Sequence, residues 1–160
     1  MKDQFTLIPT LSGPGKISQE TQTNGKQTAH RPENALTEFI AQNLSGLKNG
    51  IIPVKFTDEL IPRIERGILF VAAGYSVQSQ RAFSSITEAL RVQIERGVKI
   101  FLIDGDNISS DQMRNIFKMP LEGRGETFWI VNGRIKHFEK GYDLTARTHL
   151  VDLTEKFLLK

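Results

Sequence analysis

Residues 68–104 read ILFVAAGYSVQSQRAFSSITEALRVQIERGVKIFLID, and this stretch decides the fold. It begins with the apolar run 68–73 and ends with a second, largely apolar run, 98–103. Such runs are typical of central strands that are covered on both faces of a sheet. Between them, residues from about 80 to 96 carry apolar side chains at helical spacing, namely Phe83, Ile86, Leu90 and Ile94. The stretch therefore predicts two buried strands joined by a helix.

The pattern continues on both sides of this stretch. Upstream, residues 51–56 predict a strand, and Thr57 predicts the start of a short helix because threonine is a good helix cap. Downstream, Asn132-Gly133 is a strong signal for a two-residue hairpin turn. The other predicted elements are a short helix near 113–117, strands at 127–131 and 135–138, and a helix at about 146–159. This order predicts an α/β domain over residues 50–160, with a mixed sheet and helices on both faces.

The first part of the chain has a different composition. Residues 10–32 are dominated by Gly, Ser, Thr, Gln and Pro, which bury too little apolar surface to offset the entropy lost on ordering. We therefore expect residues 1–32 to form a flexible polar arm. Residues 33–49 are expected to form one extra helix and a linker, because their apolar residues fall on one helical face.

The composition excludes several classes of chemistry. The chain has 160 residues and no cysteine, which removes disulfides, thiolate nucleophiles and zinc–cysteine sites together. Its formal net charge is only +3, which is a weak signal for nucleic-acid binding. No segment approaches the roughly 18 apolar residues of a membrane helix, and the first residues do not resemble a signal peptide. A cytoplasmic location without a membrane partner follows by elimination, and no motif predicts a cofactor.

The order of predicted elements resembles a thioredoxin-like domain, and two segments support this resemblance. Residues 70–80, FVAAGYSVQSQ, lie where thioredoxins carry a strand followed by the Trp-Cys-Gly-Pro-Cys-Lys loop. Tyr75 then falls at the tryptophan, and Ser76 and Ser79 fall at the two cysteines. Residues 128–141, FWIVNGRIKHFEKG, are similar to the family's hairpin with its trailing glycine.

All three parts of the family's redox site differ in this chain. Both cysteines are absent, the buried acid six residues before the first cysteine falls on Phe70, and the cis-proline before the hairpin falls at or near Glu126. The resemblance therefore implies a redox-inactive thioredoxin-like scaffold. Because fold alone does not give function, the favoured interpretation is a non-catalytic protein-interaction or assembly module.

The resemblance also implies a surface for a protein partner. In thioredoxin-like folds the loop at 74–79 and the loop before Thr127 lie side by side, and family members bind extended peptide there. Aromatic residues and arginine tend to anchor such interfaces. For Trp129, packing in the core is the competing interpretation. The predicted partner-binding residues are Tyr75, Ser76, Ser79, Arg124, Glu126 and Trp129.

One alternative is a degenerate phospholipase D-like protein that binds nucleic acid. Residues 58–104 resemble the first half of a phospholipase D-type domain. Gly125 and Thr127, however, stand where that family has its His-x-Lys pair. Cations on the predicted hairpin would contact phosphate in this interpretation; they are Arg134, Lys136 and Lys140.

A second alternative is a PIN-like, metal-dependent protein. Residues 101–107, FLIDGDN, resemble the opening of PIN-like ribonuclease domains. Asp104 and Asp106 would then hold a metal ion with water. The competing interpretation is an Asp-Gly turn before the next helix, because Asp and Asn satisfy local backbone donors. The turn is favoured, since no third acid is placed with the pair.

Overall fold

The structure, a computed structural model, describes residues 50–160 of the chain. The arm predicted at 1–32 and the helix and linker predicted at 33–49 lie outside the described residues. Within the described range, no helix has both the length and the apolar character needed to cross a membrane.

A five-stranded mixed sheet forms the centre of the domain. Its strands are β1 (Ile51–Pro53), β2 (Arg66–Ala72), β3 (Ile100–Asp104), β4 (Thr127–Val131) and β5 (Arg134–Glu139). Their order is β1-β3-β2-β4-β5; β3 is parallel to β1 and β2, whereas β4 is antiparallel to β2 and β5. The predicted turn joins β4 to β5, and Asn132 and Gly133 both have positive φ, 52° and 71°, as tight hairpin turns require.

Helices cover both faces of this sheet. They are α1 (Leu60–Arg63), α2 (Val77–Ala89), α3 (Arg91–Glu95), α4 (Ser110–Gln112) and α5 (Arg147–Leu158). A π-helical turn, Met113–Phe117, continues α4, and short 3-10 turns occupy Gly105–Asn107 and Leu144–Ala146.

Two helix boundaries differ from those predicted. α2 begins at Val77 rather than near residue 80, because the Ser76 hydroxyl accepts the Ser79 N–H and caps the helix. The predicted loop 74–79 is therefore shorter, and Ser79 lies in the first turn of α2. The helix predicted after Thr57 is a single turn, α1, without a side-chain cap.

The apolar core forms one layer on each face of the sheet. Neighbouring residues of a strand point to opposite faces. Phe70 and Trp129 belong to the layer that α2, α3 and α5 cover, whereas Leu69 and Phe128 belong to the layer that α1 and the π-helical turn cover. All four side chains are fully buried. The predicted mixed sheet with helices on both faces is confirmed.

Candidate partner-binding site

Two serine side chains fix the turn between β2 and α2. The Ser76 hydroxyl donates to the Gly123 carbonyl at 2.6 Å, in addition to capping α2. The Ser79 hydroxyl is buried and accepts the Ala73 N–H at 3.0 Å. These are the positions at which the resemblance placed two cysteines. A nucleophilic serine needs an adjacent base, and within residues 50–160 the hydrogen bonds of both hydroxyls go to backbone groups alone.

The loop 120–126 lies beside this turn and is held by Glu126. The Glu126 Oε1 accepts the backbone N–H of Glu122 at 2.7 Å. Both carboxylate oxygens of Glu126 also accept the backbone N–H of Arg124, at 3.4 and 3.3 Å. The Glu126 carbonyl accepts the Val71 N–H at 2.9 Å, which joins the loop to β2. Glu126 is fully buried, and a buried carboxyl group needs such donors. Its side chain therefore holds the loop in place.

Two glycines allow the close packing of this loop. Gly125 has a φ of +77°, and a Cβ built on it would lie 2.4 Å from the Ala82 Cβ of α2. Only glycine fits there without a shift of the loop or the helix. A Cβ on Gly141 would lie 3.0 Å from the Arg124 Nη2, and the Gly141 N–H donates to the Arg124 carbonyl at 2.8 Å. The Arg124 guanidinium thus rests against the backbone at residue 141.

Several side chains at this end of the sheet reach solvent, including Gln78 and Glu122. Tyr75 is 74% exposed and Val77 is 59% exposed, one on each side of the Ser76 cap. A Cβ on Gly123 would lie 3.8 Å from the Tyr75 hydroxyl, so the Tyr75 ring lies next to loop 120–126. Arg124 is partly exposed in that loop. The site therefore presents an aromatic, an aliphatic and a cationic side chain.

Three of the predicted contact residues are instead buried. Trp129, Ser79 and Glu126 expose none of their surface. The Trp129 indole N–H donates to the Thr154 hydroxyl at 3.0 Å, within the layer covered by α5. Contrary to the prediction, these three side chains are not on the surface: Trp129 lies on a central strand covered on both faces, whereas Ser79 and Glu126 point inward and accept backbone N–H groups. The structure brings Tyr75, Ser76 and Arg124 together at the surface.

Phe70 occupies the position of the family's buried acid and is a core residue. Its ring lies against Phe83 of α2 with the ring centroids 5.0 Å apart, in an edge-to-face arrangement. Such pairs stabilise a core beyond the area they bury. Beneath the β2–α2 turn the core thus carries an aromatic contact where the family has a carboxyl group.

Asp104 and Asp106 form a turn. The Asp104 carboxylate accepts the Asp106 N–H at 2.9 Å and the Asn107 side-chain amide at 3.4 Å. Burial raises the pKa of the Asp104 carboxyl, the hydrogen bond from Asp106 lowers it in part, and the Asp106 charge raises it further. In the described part of the chain, no set of three metal-ligating side chains includes these two. The geometry is that of the favoured interpretation, an Asp-Gly turn.

Of the three hairpin cations, one is paired. Lys140 forms an ion pair with Glu122, and the hydrogen bond from Lys140 lowers the pKa of that carboxyl. Arg134 and Lys136 are exposed on β5. The basic surface predicted on the hairpin is thus reduced to two cations.

Comparisons with known proteins identify the fold. No family model matches this chain, and no curated protein matches it. Among solved structures it is similar to a proposed oxidoreductase with a thioredoxin fold, at 13% identity over 66% of this chain and 96% of that chain, with a TM-score of 0.51. It is also similar to oxidized thioredoxin O1 from Arabidopsis thaliana, at 18% identity over 68% and 98% of the two chains, with a TM-score of 0.49.

The fold assignment rests on the first of these structures together with the observed sheet. A mixed sheet with helices on both faces is the arrangement that the thioredoxin resemblance implied, and the structure adds the order β1-β3-β2-β4-β5 with β4 antiparallel to β2. The phospholipase D-type and PIN-like resemblances are not confirmed. Residues 50–160 have a thioredoxin-like fold.

Proposed function

We propose that this domain is a non-catalytic protein-interaction module built on a thioredoxin-like scaffold. The observation that carries the proposal concerns Ser76, Ser79 and Glu126, which stand at three positions of a thioredoxin redox site. All three use their side-chain oxygens to hold backbone groups of the two loops. Beside them, Tyr75 in the β2–α2 turn and Val77 at the start of α2 are exposed to solvent.

Dithiol chemistry is not expected from this site. Thiol–disulfide exchange proceeds by attack of a thiolate on a disulfide sulfur, and the chain has no cysteine. A serine hydroxyl cannot replace the thiolate, because it forms no exchangeable disulfide. In an insulin-reduction assay with dithiothreitol, the full chain should give no rate above buffer. A catalytic rate would refute the non-catalytic part of the proposal.

The chemistry of the exposed side chains indicates the kind of partner. Tyrosine and arginine are enriched among residues that anchor interfaces. Within residues 50–160, Arg124 has no carboxylate at ion-pair distance, although, besides the hydrogen bond from Lys140, its charge helps to lower the pKa of the neighbouring Glu122 carboxyl. We therefore propose that its guanidinium pairs with a carboxylate of the partner. Complementary charge favours the correct partner and its association rate. The favoured partner is therefore an extended protein segment that combines an acidic residue with apolar side chains.

Selection from a random displayed-peptide library, with the full chain as bait, tests this proposal. Enriched peptides should combine acidic and apolar residues. Tyr75→Ala and Arg124→Gln should each weaken their binding by about 1–2 kcal/mol, which is roughly 5–30-fold in Kd. Val92→Ala is the matched control, because Val92 is also exposed, at 55%, but lies on α3.

The pattern of effects decides the outcome. Circular dichroism should first show that each variant is folded. If Tyr75→Ala and Arg124→Gln bind selected peptides as the parent does, or if Val92→Ala has an equal effect, the interaction surface lies elsewhere and the proposal fails.

Nucleic-acid binding through the hairpin is the alternative that the same protein can test. A phosphate-binding protein loses affinity steeply as salt rises, because counterions are released on binding. Salt-dependent binding to single-stranded RNA that Arg134→Gln and Lys136→Gln remove, together with an unaffected Tyr75→Ala variant, would favour this alternative. The proposal expects no such binding.

A further inference from the structure

A second cluster of functional side chains lies at the β5 edge of the sheet. His137 and Glu139 are on β5, and His149 is in the first turn of α5. The Glu139 Oε1 lies 2.9 Å from the His137 Nε2 and 2.8 Å from the His149 Nε2. The three ligand atoms all lie within 4.8 Å of one another, and residues 50–160 contain no other such group. We propose that these three side chains bind a zinc ion.

The fold holds these side chains in position. His137 and Glu139 are two residues apart on a strand, so both point to the face on which α5 packs. The His137 ring stacks on Phe157 of α5 with a centroid distance of 5.9 Å, and its centroid lies 5.7 Å from that of the buried Trp129. Metal sites gain from ligands whose rotamers are fixed by packing. His137 is such a ligand, and His149 stands on the helix that faces it.

The donor set and its spacing suit zinc. Two imidazoles and one carboxylate are typical of zinc sites with three protein ligands and one open position. Bonds of about 2.0–2.2 Å place tetrahedral ligand atoms roughly 3.3 Å apart. The two hydrogen-bonded distances in the cluster are about half an ångström shorter than that, and all three ligand atoms lie within 4.8 Å of one another, so binding the ion requires the side chains to adjust around it. The side chain of His149 is 56% exposed, which leaves the fourth position open to water.

Zinc binding requires a defined change in proton positions. A carboxylate can only accept, so in the absence of metal both rings carry a proton on Nε2. For zinc to bind, each neutral ring must carry its proton on Nδ1, which leaves the Nε2 lone pair for the ion. A ring that is doubly protonated must release one proton to the solvent. The exchange therefore needs no co-reactant other than water.

The charge of Glu139 supports a cation at this place. The Glu139 carboxylate lies within hydrogen-bond distance of both imidazoles, at 2.9 and 2.8 Å. A carboxylate is ordinarily charged at neutral pH. Its charge offsets the unfavourable effect that the N-terminal end of α5 has on a nearby cation.

Metal titration of the full chain, first stripped with a chelator, tests the proposal. Competition with a chromophoric chelator should give one tight Zn²⁺ per chain. Cobalt substitution should give the visible absorption of a four- or five-coordinate site. His149→Ala should weaken Zn²⁺ binding at least about 100-fold, because the loss of outer-shell partners alone costs about 10–100-fold. Glu139→Gln, which keeps the shape of the side chain, should also weaken it.

His30→Ala is the matched control, since His30 is the third histidine of the chain and lies outside the described residues. This variant should bind Zn²⁺ as the parent does. Circular dichroism checks the fold of each variant. The proposal is overturned if no stoichiometric binding occurs, if His149→Ala and Glu139→Gln bind as the parent does, or if His30→Ala causes the same loss. The last result would identify adventitious binding by histidine.

Discussion

Replacing Gly125 by alanine tests the close contact between loop 120–126 and α2. The new Cβ would lie 2.4 Å from the Ala82 Cβ, on a backbone with a φ of +77°. A left-handed backbone costs a non-glycine residue about 1–2 kcal/mol. An additional methyl group in a packed site costs typically about 1–3 kcal/mol. We therefore expect Gly125→Ala to lower the free energy of unfolding by about 2–5 kcal/mol.

Two further variants separate these contributions. Gly123 has nearly the same φ, +73°, but the atom nearest to its built Cβ is the Ala73 Cβ at 3.3 Å. Gly123→Ala should therefore cost mainly the backbone contribution, about 1–2 kcal/mol. Ala82→Gly removes the opposing methyl and should cost about 1 kcal/mol, as glycine does inside a helix. In the double variant, Ala82→Gly removes the atom with which the new Cβ of residue 125 would clash. The double variant should therefore be more stable than the sum of the two single effects predicts, by a coupling energy of about 1–3 kcal/mol.

The measurement is equilibrium unfolding of the full chain in urea, followed by circular dichroism and analysed by linear extrapolation. The parent and all four variants, the double variant included, must give the same dependence of the free energy of unfolding on urea, so that their midpoints can be compared as free energies. The close contact between loop 120–126 and α2 is refuted by either of two results. One is that Gly125→Ala lowers the free energy of unfolding no more than Gly123→Ala does. The other is that the effects of Gly125→Ala and Ala82→Gly are simply additive in the double variant.

Two other predictions concern the buried indole and the β5 cluster. Thr154→Val leaves the indole N–H of Trp129 unpaired and should lower the free energy of unfolding, measured in urea, by about 1–3 kcal/mol. Thr154→Ser keeps the hydroxyl and should lower it less. The reverse ranking would contradict a stabilising role of this hydrogen bond. The pKa of the Glu139 carboxyl is lower in the folded state than its ordinary value of 4.5 in the unfolded chain. The charged carboxylate therefore contributes its full stabilisation above pH 4.5, and this contribution is lost as the pH falls through the lower pKa of the folded state. The stability difference between the parent and Glu139→Gln, measured with chelator present, should therefore shrink as the pH falls below 4.5, and a constant difference would disagree with this prediction.

The fold could be predicted because its strongest signals are local. The apolar run 68–73 and the largely apolar run 98–103 became β2 and β3, and Asn132-Gly133 became the turn between β4 and β5. Each signal needs only a few neighbouring residues to be read. The start of α2 was misplaced because Ser76 was assigned to a loop. A serine three residues before another polar residue is a weak cap signal in sequence, and the bond to the Ser79 N–H appears only in the structure.

The candidate site was predicted only in part, because burial depends on the assembled layers. Alternation along a strand places Phe128 and Trp129 on opposite faces of the sheet. Both are buried because each packs in a different layer. Val77 was not predicted; its one signal is its position directly after the capping serine. His149 gave no signal as a partner of Glu139, since ten residues and a change from strand to helix separate them in the chain.

Ser76, Ser79 and Glu126 stand at positions of a thioredoxin redox site, and the hydrogen bonds of their side-chain oxygens also order the proposed binding surface. A reactive side chain must keep its reacting atom available to substrate, whereas the Ser76 hydroxyl is bonded to the Gly123 carbonyl and the Ser79 hydroxyl to the Ala73 N–H. Glu126 adds bonds within the second loop. The bond from Ser76 to Gly123 links the β2–α2 turn to loop 120–126, and the other bonds hold each of the two segments internally. Ordering a flexible side chain on binding costs about 0.5–1.5 kcal/mol, so a surface fixed in advance binds more tightly for the same contacts. If the proposed interaction surface lies here, the hydrogen bonds of Ser76, Ser79 and Glu126 are what fix its shape in advance.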